Sequence, residues 1–257
     1  MKKVVIIGAG ASGLITAIYA KRNGNDVILI EKNEICGRKI LATGNGRCNY
    51  WNKDQSLSHY RGSNLKNIED ILNAKNEEEI LMFFRKIGIE PKIKNGYYYP
   101  FSNQAISIQK ALILEAEKQK VKILTDSEVV DILKNEKKFT IVLKNQNKIE
   151  IDIVVLSTGS KAAPKTGSDG FGYKICEKFK HTVNKPLPAL VQLRANEKYL
   201  KDWEGVRAEV SVKLYENEKE IGKEVGEIQL TNYGVSGICV FNLSGRVSKG
   251  LEASEKE

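Results

Sequence analysis

A short apolar run near the N-terminus, followed directly by closely spaced glycines, constrains the fold more than any other feature of this sequence. Residues 3–7 are mostly β-branched and apolar, which is typical of a strand buried in a parallel sheet. A glycine-rich turn follows at 8–13, and a helical pattern then extends to about Asn23. A second apolar run, Asp26 to Glu31, completes a strand–helix–strand unit. The chain is therefore predicted to be an α/β protein with a Rossmann-like domain.

The spacing of the glycines in this turn predicts a dinucleotide site. Gly8 permits a tight turn, Gly10 lets a pyrophosphate approach the backbone, and Gly13 lets the helix pack closely on the sheet. The helix N-terminus offers N–H groups and partial positive charge to the phosphates. Glu31 is placed to accept hydrogen bonds from ribose hydroxyls and to repel a 2′-phosphate. The candidate cofactor-binding residues of this unit are Gly8, Ala9, Gly10, Ala11, Ser12, Gly13 and Glu31.

The irregular segment after Glu31 favours a flavin over a nicotinamide dinucleotide. Residues 32–63 hold no regular pattern, and Cys36 to Asn49 is rich in glycine and cations. Nicotinamide dehydrogenases ordinarily continue with a helix at this point, whereas the ribityl chain and ring of FAD need wrapping by backbone. The sequence therefore predicts FAD as the cofactor.

Several motifs resemble those of the aminoacetone oxidase-like FAD-binding enzymes, a family also described as NAD(P)/FAD-dependent oxidoreductases. The matching motifs include Gly8–Leu14, Glu31-Lys32, Gly37-Arg38-Lys39, Gly44–Asn49, Pro100–Ala105, Thr158–Ser160, Thr166–Gly170, Gly226–Thr231 and Tyr233–Gly237. Members of that family look longer and close with a further glycine-rich segment, which leads us to expect that this chain is a fragment or a truncated product.

The resemblance implies that residues 37–49 lie along FAD. Arg38 and Lys39 are expected near phosphate or ribityl oxygens, and Arg47, Cys48 and Asn49 nearer the isoalloxazine. A cation there would stabilise the negative charge of reduced flavin. Two alternatives stay open, in which Arg47 pairs with a carboxylate and Cys48 is a packed thiol. The further candidate cofactor-binding residues are Lys32, Gly37, Arg38, Lys39, Gly46, Arg47, Cys48, Asn49, Val129, Val130, Thr158 and Gly159.

The last four of these residues come from strands further along the chain. Val129 or Val130 is expected to offer a backbone contact beside the adenine, although a plain core strand fits the same pattern. Thr158 and Gly159 end an apolar run at 149–156 that resembles a buried parallel strand and returns toward the cofactor. A β-meander is predicted between the two positions. The FAD-binding domain is assigned to 1–187, and 188–257 to a β-rich, incomplete substrate-side domain.

Composition and motif content limit the remaining functions. The net charge is +9, but lysines alternate with acids along the chain, which argues against nucleic acid as a partner. No apolar run is long enough to span a bilayer and no secretory signal is visible, so a cytoplasmic location is expected. The cysteines and histidines show no metal-ligand spacing.

These observations lead to one main hypothesis and two alternatives. The main one is an FAD-dependent oxidoreductase that transfers hydride between a small organic substrate and flavin N5. No catalytic residue is identified, and NAD(P)H would bind only transiently as an electron donor, since no second glycine motif exists. The alternatives are a flavin-dependent RNA-modifying enzyme and a non-catalytic nucleotide-binding fragment.

Overall fold

The structure is a computed structural model that describes residues 1–60, 62, 64–74 and 76–254. Residues 61 and 63 of the predicted irregular segment, and residues 255–257 of the predicted second domain, lie outside the described residues. The chain divides into two compact units, Met1–Val183 and a second unit that begins at Asn184. This division falls a few residues before the boundary predicted at 187.

The first unit contains three sheets and most of the helices. Its helices are α1 (Ala11–Arg22), α2 (Leu65–Asn73), α3 (Glu77–Lys86), α4 (Ala105–Lys118) and α5 (Phe171–Lys178). Its strands are β1 (Lys3–Ile7), β2 (Asp26–Ile30), β3 (Trp51–Asn52), β4 (Pro91–Lys94), β5 (Tyr97–Pro100), β6 (Lys122–Leu124), β7 (Val129–Asn135), β8 (Lys138–Leu143), β9 (Lys148–Ile151) and β10 (Ile153–Leu156).

A parallel sheet in the order β10-β1-β2-β6 forms the centre of this unit. One face is covered by α1 and α4, where Ile6, Leu14 and Leu112 are almost fully buried. The other face is covered by the antiparallel meander β7-β8-β9, where Val5 and Ile141 pack in the same cluster. Because successive strand residues point to opposite faces, β1 and β2 must be apolar on both sides. This architecture confirms the α/β class and the parallel sheet with a meander.

The apolar run at 149–156 is two strands rather than one. Asp152 separates β9, which belongs to the meander, from β10, which belongs to the parallel sheet. The amide of Asp152 donates to the carbonyl of Lys3 (3.0 Å), and the amide of Lys3 donates to Asp152 Oδ2 (2.8 Å). The prediction of a buried strand is also wrong for β10, because β10 lies at an edge of its sheet and Ile153 is 37% exposed.

A small antiparallel sheet lies beside the parallel sheet, in the order β3-β5-β4. The strand β4 was not predicted, because its lysines alternate with single apolar residues over only a few positions. The segment 32–63, predicted to be irregular, contains β3 and the 3₁₀ turns Ile40–Gly46 and Leu57–His59. Non-helical backbone at Thr43, Gly44 and Asn45 interrupts the first of these turns.

The second unit contains a sheet and a long helix. Its elements are β11 (Leu193–Arg194), β12 (Arg207–Glu216), β13 (Lys219–Thr231), β14 (Gly234–Ser236) and α6 (Ile238–Ser254), with the strand order β11-β14-β13-β12. Cys239, Val240 and Leu243 of α6 are buried, and the helix packs on β13. The β-rich pattern predicted for this domain is confirmed up to Ser236, whereas the helix that follows was not predicted.

Candidate functional site

The three motif glycines sit in three different environments at the end of β1. Gly8 has a φ of +98°, and a Cβ there would lie 2.5 Å from the carbonyl oxygen of Ser157. A Cβ at Gly13 would lie 1.9 Å from the carbonyl oxygen of Gly8. A Cβ at Gly10 would meet none of the described residues within 4 Å. Gly8 and Gly13 therefore serve close packing, whereas Gly10 faces open space that a ligand can use.

The N-terminus of α1 is open to that same space. Gly10 caps the helix without a side-chain hydrogen bond, and its carbonyl accepts from the amide of Leu14 at 3.0 Å. Ala11 and Ser12 are exposed in the first turn, which contains no acidic residue. Unsatisfied amides and the positive end of the helix dipole make such a turn a binding place for an anion, and a phosphate fits it.

Glu31 lies directly after β2 and is 9% exposed. Its Oε2 accepts a hydrogen bond from the amide of Ala9 at 2.8 Å. Its Oε1 accepts from the amide and the side-chain nitrogen of Asn33, at 3.0 and 2.6 Å. A carboxylate offers about four acceptor positions, so these three bonds fix the side chain and leave capacity for a ribose hydroxyl.

These groups open onto one cavity of about 1190 Å³ in the first unit. Its volume exceeds the roughly 300–1,000 Å³ of common small-molecule sites, which suits an extended ligand. The cavity brings together most of the predicted site residues: Gly8, Gly10, Ala11, Ser12, Glu31, Lys32, Gly37, Arg38, Lys39, Cys48, Asn49, Val129, Thr158 and Gly159.

Five predicted site residues do not line this cavity. Ala9 is fully buried behind the turn, and Gly13 packs on Gly8. Val130 is 46% exposed, whereas its neighbour Val129 is 7% exposed and lines the cavity. Gly46 and Arg47 also stand outside the lining. The guanidinium of Arg47 lies 5.3 Å from the ring centroid of Tyr99, and its contact with the flavin stays a prediction.

Three of the cations that line the cavity, Lys32, Arg38 and Lys39, have protein partners. Arg38 Nη1 donates to Asn33 Oδ1 at 3.4 Å. Lys39 Nζ donates to Ser168 Oγ and to the carbonyl oxygen of Ala162, each at 2.8 Å. Lys32 Nζ lies 2.7 Å from Asp169 Oδ2, and this hydrogen bond holds the pKa of the Asp169 carboxyl below its usual value. The two lysines thus connect the segment after β2 to the segment before α5.

The two cysteines near the cavity are thiols at neutral pH. Burial raises the pKa of Cys36 to about 11, with Glu31 and Glu117 adding to the effect. Burial also raises the pKa of Cys48, against a smaller opposing hydrogen bond from Thr43. A protonated buried thiol is a poor nucleophile, so packing is the role that this geometry supports for Cys48. Among the described residues, no cluster of His, Cys, Asp and Glu side chains could hold a metal ion.

Sequence reasoning missed an apolar section of the cavity. It extends along α1 past Tyr19 to α3, where Ile80, Phe83 and Phe84 contribute side chains. The rings of Tyr19 and Phe83 stack with centroids 5.6 Å apart. A helix pattern alone does not reveal which partner its apolar face meets, so only the fold identifies this wall.

Tyr50 and Trp51 were also missed, although they directly follow the predicted loop. Both residues line the cavity. Within the described part of the chain, the buried atoms Tyr50 Oη and Trp51 Nε1 have no hydrogen-bond partner. Buried donors without partners are costly, so these two atoms lower the stability of the fold around the cavity.

Two proteins of known activity are similar to this chain in sequence. The chain is 39% identical over 253 residues to the 3-dehydro-bile acid delta(4,6)-reductase of Clostridium scindens, which corresponds to 98% of this chain and 62% of the reductase. It is 30% identical over 240 residues to the ribosomal RNA dihydrouridine synthase of Escherichia coli (strain K12), which corresponds to 93% of this chain and 60% of the synthase. The chain thus spans about three fifths of the length of these curated relatives.

A solved structure supports the fold. The open conformation of a flavocytochrome c3 fumarate reductase matches with a TM-score of 0.50 and 16% identity, over 81% of this chain and 47% of that one. At this identity the similarity concerns the fold alone. In the described ranges, no helix is long and apolar enough to cross a membrane.

The family is established by its own model. The model of a family described as "HI0933-like protein Rossmann domain" matches residues 2–243. The open Gly10, the exposed N-terminus of α1 and the fixed Glu31 fit the FAD that the sequence predicts. The chain belongs to the HI0933-like family of Rossmann-domain proteins.

Proposed function

We propose that this chain binds FAD in the cavity of its first unit and forms the cofactor-binding part of an oxidoreductase. The observation that carries the proposal is that Gly10, which leaves open space for a ligand, and the fixed carboxylate of Glu31 line the same cavity. The identity to a named reductase over 98% of the chain supports the same class of activity. NAD(P)H as a transient donor and a cytoplasmic location stay predictions.

Each end of the proposed site has a defined physical task. The amides of Ala11 and Ser12 would hold the pyrophosphate, and Glu31 would orient the adenosine ribose by accepting from its hydroxyls. Thr158 and Gly159 come directly after β10 and line the same cavity, which supports the predicted contacts of these two residues with FAD. FAD, when bound, supplies a ring that takes up or gives a hydride at N5.

The apolar section has a different task in this proposal. Ile80, Phe83 and Phe84 exclude water from part of the cavity. A dry environment strengthens hydrogen bonds between fixed protein groups and a bound ligand.

The visible spectrum of the purified protein tests cofactor binding. We expect flavin absorbance, and chromatography of the denatured supernatant should identify FAD. Recovery of FMN or NADP in place of FAD would contradict the proposal. Anaerobic addition of NADH or NADPH should then bleach the flavin absorbance, and a conjugated ketone should restore it if hydride transfer to a small substrate is correct.

RNA modification is a second candidate, because the synthase relative is 30% identical over 93% of this chain. A basic protein that contacts several phosphates binds RNA with an affinity that falls steeply with salt. Formation of dihydrouridine in ribosomal RNA by the purified flavoprotein would favour this candidate. Turnover of the conjugated ketone without RNA binding would favour the first.

A further inference from the structure

Two segments far apart in sequence are fastened to each other at the cavity. The first contains Lys39, in the loop after β2. The second is the 159–170 loop, which joins β10 to α5 and includes one 3₁₀ turn at Pro164–Thr166. Lys39 Nζ donates to the carbonyl oxygen of Ala162 and to Ser168 Oγ, both at 2.8 Å. Ser168 is 7% exposed and its hydrogen bond with Lys39 is partly buried, whereas the bond to Ala162 is exposed.

A second contact joins the same two segments. Asp169 Oδ2 accepts from Lys32 Nζ at 2.7 Å, and Asp169 Oδ1 accepts from the amide of Phe171 at 2.9 Å. Gly167 has a φ of +100° and packs on Asn33, since a Cβ there would lie 2.7 Å from Asn33 Nδ2. Asn33 in turn donates to Glu31. The 159–170 loop is therefore connected through Asn33 to the acid expected to hold the ribose.

The position of the loop gives these contacts a functional meaning. Thr166, Gly167, Ser168 and Asp169 all line the cavity. A loop with little regular structure depends on such contacts to stay in place. An ammonium group has three donors, and two of those on Lys39 are occupied by the loop.

We infer that Lys39 is a positioning residue that fastens the 159–170 loop against the cavity and thereby slows the release of FAD. This inference rests on the proposed function and gives Lys39 a role other than the phosphate or ribityl contact predicted from the sequence. A direct phosphate contact would act through charge and would not depend on Ser168. A fastened loop depends on both partners of the hydrogen bond.

The rate of FAD release distinguishes these roles. We would measure it by flavin fluorescence after dilution for the wild type, Lys39→Met, Ser168→Ala and the double variant. Lys165→Met is the matched control, because Lys165 is an exposed cation of the same loop and does not line the cavity. We expect about tenfold faster release from Lys39→Met, a size appropriate to a hydrogen bond with a charged group.

The double variant decides between the two roles. If Lys39 fastens the loop through Ser168, Ser168→Ala also speeds release, and the double variant is little faster than Lys39→Met alone. Two results together would overturn the inference. Ser168→Ala would release FAD at the wild-type rate, and Lys39→Met would bind FAD more weakly than the wild type at low salt but equally at high salt. Circular dichroism and thermal unfolding would confirm that each variant is folded. If Lys39→Met does not fold, the release rate of Ser168→Ala, which is the milder change, still tests the inference.

A measurement without cofactor separates this inference from the proposed function. Amide hydrogen exchange in the 159–170 loop should be faster in cofactor-free Lys39→Met than in wild type or Lys165→Met. If the wild type does not bind FAD, the proposed function fails, while this exchange experiment still decides whether Lys39 holds the loop. Equal exchange in the three proteins would overturn the inference even if FAD binds tightly.

Discussion

The carboxylate of Glu31 and the amide of Ala9 are hydrogen-bonded, with 2.8 Å between Oε2 and N. Through this bond, the acid at the end of β2 fixes the glycine turn that follows β1. The other carboxylate oxygen is fixed by Asn33. The ribose acceptor and the phosphate-binding turn are therefore parts of a single hydrogen-bonded unit.

The first prediction concerns the charge of that unit. Glu31→Gln keeps the size of the side chain but presents an NH₂ group to one of the two sets of donors, Ala9 or Asn33. We expect FAD binding to weaken by about 1.5–3 kcal/mol, as for hydrogen bonds to charged groups. Titration of the apoprotein with FAD would measure this. Glu34→Gln removes an exposed carboxylate nearby and should leave the dissociation constant unchanged, whereas equal losses in both variants would contradict the assignment.

The second prediction separates ligand space from packing within the glycine turn. Gly10→Val should abolish FAD binding and change thermal unfolding little, because no atom of the described residues lies within 4 Å of its Cβ. Gly13→Ala should instead destabilise the protein by about 1–3 kcal/mol, because its Cβ would overlap the carbonyl oxygen of Gly8. Unfolding curves and FAD titrations of both variants check this pair. Full FAD occupancy in Gly10→Val would place the cofactor elsewhere.

The third prediction uses the partnerless hydroxyl of Tyr50. Burial raises the pKa of Tyr50 to about 12, so the hydroxyl stays neutral and buried. Tyr50→Phe should raise the free energy of unfolding of the cofactor-free protein by about 1 kcal/mol, because it removes an unsatisfied group. Denaturant unfolding measures the change.

Tyr98→Phe is the matched control for this experiment. The hydroxyl of Tyr98 donates to Glu77, so its removal should lower the free energy of unfolding. A loss of stability of similar size in Tyr50→Phe would mean that its hydroxyl has a partner within the protein.

The fourth prediction concerns pH. The hydrogen bond from Lys32 is the largest cause that lowers the Asp169 pKa below 3.8. A carboxyl whose pKa is lowered in the folded state stabilises the protein at every pH above the pKa that the carboxyl has in the unfolded state. This contribution is lost as the pH falls through the pKa of the folded state. The side chain of Asp169 is 55% exposed, so the contribution should stay below about 1 kcal/mol.

Unfolding of the wild type and Asp169→Asn would be compared between about pH 6 and about pH 2. The difference in their free energies of unfolding should shrink toward acid pH, and Lys32→Met should show the same convergence. A difference that is constant over this range would show that the carboxylate charge does not contribute.

The sequence predicted the parts of the site that depend on local backbone geometry. The run 3–7, the turn at 8–13 and the position of Glu31 form one continuous segment, and their spacing alone indicates a strand, a tight turn and a helix. The partners of Lys39 and Lys32 lie more than a hundred positions away, at Ser168 and Asp169. Local pattern carries no information about such pairs, so the sequence did not predict these two contacts, and the assignment of both lysines to the cofactor stays a prediction.

The sequence was less informative where one apolar run serves two sheets. The residues 149–156 alternate as a single strand would, and only the pairing of Asp152 with Lys3 shows where the chain changes sheet. The same limit applies to α6, since the residues after Ser236 follow long strands and have no strong capping signal. Long-range pairing decided the structure in both places.

The single-residue junction at Asp152 joins the meander to the cavity wall through one continuous stretch of chain. Strand β9 ends immediately before it and β10 begins immediately after it, although the two strands belong to different sheets. Thr158 and Gly159 follow β10 and line the cavity. A substitution at Asp152 would therefore act on both sheets at once and, through β10, on the placement of these two residues.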